Sequence, residues 1–168
     1  MASIDRTAYP FLQCRPTPEE LASCYSLNAQ ELAFVQNKAR GGTQRLTLAL
    51  MLKTRQQLGY FPKQSEIPVA TRRFVASELG ITGDPVFPMD SAKASLFRYR
   101  QAIREYLGCT VYTDTGVAWV RPVVEQATLT MIDPADLINV AIEKLVAANI
   151  ELPAFSTLDR LVGNLRNQ

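Results

Sequence analysis

Asp133-Pro134-Ala135-Asp136-Leu137-Ile138-Asn139-Val140-Ala141-Ile142-Glu143-Lys144-Leu145 is the stretch that decides the fold class. Asp133 can accept from a free amide of a first helical turn, and proline is preorganised for the first helical position. Asp136 adds an acid three residues after the cap, where the helix dipole favours it. Leu137, Val140, Ala141, Lys144 and Leu145 then recur at helical spacing as far as Asn149.

The same punctuation repeats on either side. Downstream, Ile150-Glu151-Leu152-Pro153 reads as extended. Ser156 caps a last helix with Asp159 at the third position and Leu158, Leu161, Val162 and Leu165 inside. That helix has no stop signal before Gln168, so it looks cut rather than finished. Upstream, a helix follows Asp114 and carries Val117, Trp119, Val120, Val124 and Leu129. Pro122 inside it predicts either a kink or a later start. Trp119 is expected to be buried among those apolar neighbours.

Asp90 or Ser91 caps a helix running through Leu107, and Gly108 ends it. Cys109-Thr110-Val111-Tyr112 reads as a short extended piece. Residues 81 to 89, with Gly83, Pro85 and Pro88, form a connector. Ile67-Pro68 opens a helix carrying Val69, Phe74, Val75 and Leu79 and ending at Gly80. Thr43 can cap another, with Leu46, Leu50, Met51 and Leu58 on one stripe and Gly59 as its stop. Asn28 with Glu31, and Thr17-Pro18-Glu19-Glu20, are two capping boxes. The chain therefore reads as all-α, with seven or eight helices and no internal repeat.

Composition sets the limits of function. At 168 residues, 47% apolar and 20% charged, the chain can bury a core without disulfide or metal staples. No apolar run is long enough to span a membrane. The first residues lack the basic and apolar regions of a signal peptide, which predicts a cytoplasmic protein. Histidine is absent, which removes Ser-His and Cys-His pairs and the common zinc sites. Cys14, Cys24 and Cys109 have no C-x-x-C spacing and read as reduced, buried thiols. No phosphate loop, dinucleotide fingerprint or nucleophile elbow is present. The paired acids, Glu19-Glu20 and Asp133 with Asp136, fall in first turns and read as caps. No catalytic residue, metal or cofactor is expected.

Charge is unevenly spread. Lys38 to Arg104 holds twelve bases and four acids, a net of +8, although the whole chain is only +2. The segment before it is −2 and the segment after it is −4. Thirteen of the eighteen bases are arginine, whose guanidinium fork suits phosphate and guanine edges. Charge alone divides evenly between a polyanion-binding face and an arginine-rich wet surface.

The three basic helices between Thr43 and Leu107 match the size of a helix-turn-helix unit, with the last one reading the groove. On it Phe97, Ile103 and Leu107, with Ala94, are expected to face inward. Lys93, Arg98, Arg100 and Arg104 would then face DNA, joined by Tyr99. Arg45, Lys53, Arg55, Arg72 and Arg73 complete the predicted DNA-binding set, chiefly as phosphate contacts.

A longer set of blocks carries a family resemblance. These are Ser26-Leu-Asn28-Ala-Gln-Glu31-Leu32, Gly59-Tyr-Phe61-Pro62, Ile67-Pro68, Leu79-Gly80-Ile81 and Arg98-Tyr-Arg100. Ile103-Arg104-Glu105-Tyr106-Leu107-Gly108, Asp133-Pro134 and Ile150-Glu151-Leu152-Pro153-Ala154-Phe155-Ser156-Thr157-Leu158-Asp159-Arg160-Leu161-Val162 complete them. In order and spacing, from about residue 16 onward, they resemble the N-terminal region of Tn3-family transposases. Those enzymes serve replicative, cointegrate-forming bacterial transposons. The resemblance implies sequence-specific binding of double-stranded DNA at the terminal inverted repeats. It also implies a catalytic Asp-Asp-Glu set far downstream, outside this chain. Pro122 and Gly116 depart from the smoother helix expected there.

The resulting expectation is a basic helical DNA-binding domain at residues 1–108 and a second helical subdomain at 109–168. Its partners would be inverted-repeat DNA and the remaining transposase domains, with no membrane and with homo-oligomers on DNA left open. Two other readings stay alongside: a protein-interaction module within a transposase, and a short standalone regulator occupying the same DNA ends.

Overall fold

Seventeen residues, Gly42–Leu58, form the helix around which the first half is built. The computed structural model describes residues 1–82 and 93–168. The chain is all-helical: among the described residues there are eight α-helices and no strand. They are α1 (Pro18–Tyr25), α2 (Ala29–Lys38), α3 (Gly42–Leu58), α4 (Val69–Glu78) and α5 (Lys93–Leu107). α6 (Asp114–Ala127), α7 (Pro134–Ala147) and α8 (Phe155–Arg166) follow. Most of the expected connector, with Gly83, Pro85 and Pro88, and the Asp90 or Ser91 cap lie outside the described residues.

The helices divide into two compact units. One comprises Phe11–Leu107; the other comprises Met1–Pro10 together with Gly108–Gln168. The first ten residues, grouped with the basic half on sequence, thus pack with the C-terminal helices.

In the first unit α3 is buried on every side. Leu46, Leu48, Ala49, Leu50, Met51 and Leu52 are all in the core, and α1, α2, α4 and α5 pack around them. A helix apolar all round belongs at a centre, so the single stripe read from Leu46, Leu50 and Leu58 was too narrow. Thr43 is not its cap. Gly41 holds that position at φ 86, a conformation suited to glycine, and Thr43 lies in the first turn. Gly59, at φ 80, closes the other end with its N–H on Arg55 O. The buried hydroxyls satisfy themselves on the helix. Thr47 Oγ1 donates to Thr43 O at 2.9 Å and Thr54 Oγ1 to Leu50 O at 2.6 Å.

Both predicted capping boxes form. Thr17 accepts from Glu20 N–H and Asn28 from Glu31 N–H, and each acid returns to the amide of its cap. Leu27 N–H then donates to Glu78 at 3.1 Å, tying the α1–α2 turn to the end of α4. Val69 departs from expectation: it opens α4 on the exposed side, while Val75 and Ala76 enter the core.

The second unit packs α6, α7 and α8 on one another. Val120, Val124, Leu137, Ile138, Ala141, Leu145, Leu158 and Val162 are its fully buried residues. Asp133 caps α7 as predicted, accepting from Ala135 N–H at 2.9 Å. α6 begins at Asp114 and runs through Pro122 without restarting. Ala118, whose carbonyl loses its partner at Pro122, is exposed to solvent. α8 begins two residues before the predicted start, with Ala154 at the cap position and Ser156 inside. Asp159 is used elsewhere, accepting from Ala2 N–H at 2.9 Å.

That bond is one of four that strap the first ten residues to this unit. Arg6 pairs with Asp133. Ala8 N–H donates to Asn139 at 2.7 Å, and Tyr9 Oη donates to Pro153 O at 2.8 Å. The two extended pieces meet in one parallel bridge, with Thr110 N–H on Asn149 O and Glu151 N–H on Thr110 O. The expectation of buried cysteines fails: Cys14 is exposed, and Cys24 and Cys109 are only half-buried.

Candidate nucleic-acid interface

α5 carries the densest set of predicted contacts, and its register decides what they can do. Ile103 is fully buried, with Leu96, Tyr99 and Leu107 packed on the same core. Phe97, expected inward, is 57% exposed. The spacing explains the difference. Leu96 and Leu107 lie seven before and four after Ile103, on one stripe, whereas Phe97 stands about 120° round the helix from Ile103. Ala94 is also exposed. Tyr106 stacks on Phe34 with ring centres 4.5 Å apart, which fixes the end of α5 against α2.

Arg100 and Arg104 flank the buried stripe and are half-buried. Their guanidinium carbons lie 5.8 and 5.3 Å from the centre of the Phe61 ring. Phe61 comes from the turn after α3, so a cation–π contact holds both arginines in place. Lys93 and Arg98 are exposed, and Arg98 Nη2 donates to Ser95 Oγ at 3.3 Å. Tyr99 serves the core.

The remaining predicted residues scatter. Arg73 is exposed and Arg72 half-buried on α4. Arg45 is half-buried, its Nε donating to Ala39 O at 3.1 Å. Lys53 and Arg55 are each only 7% exposed. Lys53 Nζ lies 2.9 Å from Glu31 Oε2 inside the domain. A cation so enclosed cannot meet a phosphate without unpacking the helix, so Lys53 and Arg55 drop out of the accessible face. Their positions on a central helix, not their residue types, decide this.

Sequence reasoning passed over the turn that faces α5. Phe61, Pro62, Lys63, Gln64 and Ser65, with Arg100 and Leu96 opposite, line a cleft of about 330 Å³. Tyr60 borders this turn; burial first, and the Glu66 carboxylate second, hold its hydroxyl above the usual tyrosine range. The Gly59-Tyr60-Phe61-Pro62 block was visible as a turn, but nothing local says which helix it faces.

In the second unit Trp119 is not buried. It is half-exposed, with Lys144 Nζ 4.9 Å from its ring centre, beside an open apolar cleft with Pro122 and Val123. Gly116, Val120 and Val124 form the buried stripe of α6, and Trp119 is one residue off it. The Asp133 carboxyl is held below its usual range, first by Ala135 N–H and then by the Arg6 guanidinium. Among the described residues no helix is long and apolar enough to cross a membrane.

Comparison with known proteins adds two findings. The transposase for transposon gamma-delta of Escherichia coli (strain K12) is 27% identical over 172 residues, which cover all of this chain and 17% of that protein. The chain thus spans about one sixth of that relative. A family profile described as a domain of unknown function (DUF4158) matches residues 1–165. The chain therefore belongs to the DUF4158 family, and it resembles the N-terminal region of a Tn3-family transposase.

Proposed function

We propose that this chain binds double-stranded DNA at transposon terminal inverted repeats, as a non-catalytic, end-recognition part of a transposase. One observation carries the reading. The flank of α5 gathers Arg100 and Arg104 on Phe61, with Lys93 exposed on the same helix, inside the segment of net charge +8. Guanidinium groups pinned on a ring are ordered before binding, so less freedom is lost when phosphate or a base edge arrives. Arg98, Arg73 and Arg45 extend the basic surface towards backbone contact. The similarity to the gamma-delta transposase supports the transposition role.

The test is binding of the chain to a duplex of its own transposon end and to a scrambled duplex, measured against salt. The end duplex should be preferred, and log K should fall by about 0.9 per log unit of salt for each phosphate contacted. Alanine at Arg100 and Arg104 together, in a folded protein, should weaken the end complex by about tenfold or more. Equal affinity for both duplexes would remove the sequence-specific reading.

A second reading, contact with another protein segment, is favoured for the second unit by its surface. Leu129 and Ile132, in the turn between α6 and α7, are largely exposed, and Trp119 is half-exposed. Large apolar side chains left exposed at a turn and beside an open apolar cleft suit a protein partner.

A further inference from the structure

Helix α6 carries apolar groups on two opposite sides. Gly116, Val120 and Val124 bury one side against α7 and α8. The other side carries Ala118, Trp119 and Pro122, with Thr115 and Gln126, and all five are exposed. At about 100° per residue they lie within about 60° of Pro122, across the helix from Val120 and Val124. Leu129, in the turn that follows, is 74% exposed and continues the row. Lys144 Nζ, 4.9 Å from the ring centre of Trp119, holds the indole beside the open cleft with Pro122 and Val123. An apolar side of a surface helix ordinarily faces a neighbour, and this second one has none within the chain.

The row is centred on Pro122, seven residues after Thr115 and seven before Leu129. Two copies of α6 crossing antiparallel at Pro122 therefore bring Leu129 of each level with Thr115 of the other, and Trp119 beside Gln126 of the second copy. The edge of the row away from Trp119 is charged: Arg121 and Glu125 are paired at 3.6 Å and about half-exposed. About the same two-fold axis, Arg121 of each copy comes beside Glu125 of the other, so unlike charges meet along that edge. From this match of shape and charge we infer that the exposed side of α6 docks on the same side of a second copy of this chain. Trp119 and Pro122 lie at the centre of the contact, and Arg121 and Glu125 form its rim. The inference rests on the protein-contact reading of the second unit, which it narrows to one partner, and it is independent of the DNA-binding reading. A single helix pair about 21 Å long sits at the low end of specific interfaces, so the dimer is weak, with a dissociation constant in the micromolar range.

Sedimentation equilibrium of the chain over a concentration series should show monomer and dimer exchanging in that range. Trp119 is the only tryptophan, so its emission should move to shorter wavelength with the same midpoint. Arg121→Glu lines the charged edge of the dimer with acids alone, and Glu125→Arg lines it with bases alone. Each should raise the dissociation constant by about tenfold or more. The melting temperature should change little, because an exposed pair one turn apart contributes little to folding. Mixed in equal amounts, the two variants set acids on one copy against bases on the other and should pair at least as tightly as wild type.

A chain that stays monomeric up to the millimolar range would overturn the proposal, and the protein-contact reading would then pass to a different partner. A dimer indifferent to Arg121→Glu would overturn it as well. So would a mixture of the two variants that pairs no better than either alone, since each of these results places the contact elsewhere.

Discussion

Replacing Lys53 by methionine leaves the Glu31 carboxylate buried without its cation. The two side chains are 9% and 5% exposed, and their charged atoms lie 2.9 Å apart. At an effective dielectric of about 20 their attraction is about 6 kcal/mol. Desolvation of the two ions offsets most of that while both are present. With Lys53 gone the cost of burying Glu31 remains, and its other hydrogen bond, from Asn28 N–H, is long at 3.4 Å. Removal of one partner should therefore destabilise the first unit by about 3–5 kcal/mol. A domain is typically stable by roughly 5–15 kcal/mol, so this is a large share of the total. With a urea dependence of about 1–3 kcal/mol per molar, the midpoint should fall by more than about 1 M. The double variant Lys53→Met with Glu31→Gln keeps the capping box and should recover to within about 1 kcal/mol of wild type. Equilibrium urea unfolding followed by circular dichroism measures all three proteins. The double variant should also keep the salt slope of DNA binding. An unchanged urea midpoint for Lys53→Met, or a salt slope lowered in the refolded double variant, would refute the assignment of Lys53 to the core.

Three further outcomes are expected, all in the second unit. The Asp133 carboxyl is more acidic folded than unfolded, so its contribution to stability is present above the usual aspartate pKa of about 3.9 and is lost as pH falls through the folded value. Asp133→Asn should accordingly flatten the acid limb of a melting-temperature profile, and a limb as steep as wild type would count against it. A methyl group at Gly116 would stand 2.5 Å from Cδ2 of Tyr112. Gly116→Ala should thus cost about 1–3 kcal/mol in denaturant unfolding, and the added change Tyr112→Leu should relieve most of it. Tyr9→Phe removes the hydroxyl bonded to Pro153 O. It should lower stability by about 1 kcal/mol, with increased hydrogen exchange near Pro153, and no change in either would mean the strap is not held there.

How much of the candidate site could be read in advance depended on the reach of the forces involved. Arg100 and Arg104 were picked from charge and helical spacing, and both lie on one flank of α5. Lys53 and Arg55 were picked on the same grounds and are buried, because α3 is wrapped on all sides by helices distant in sequence. Phe97, expected inward, is exposed because its six-residue separation from the buried Ile103 turns it about 120° round the helix. Phe61 was legible only as part of the turn after α3: its ring acquires a role when Arg100 and Arg104 of α5 are laid over it.

The residues that the sequence determined by itself act within one turn of their own position. Thr17 with Glu20, Asn28 with Glu31, and Asp133 with Ala135 all cap helices as read, since each bond spans two or three residues. Gly59 stops α3 for an equally local reason. From such signals follow the all-helical class and most helix boundaries. The tertiary structure alone decided that α3 is a core rather than a face, that Glu31 reaches twenty-two residues onward to Lys53, and that Arg6 and Ala2 close on Asp133 and Asp159. Such pairings depend on which surfaces meet when apolar area is buried. Burial is non-directional and specifies no partner, so no window of local sequence could have named them.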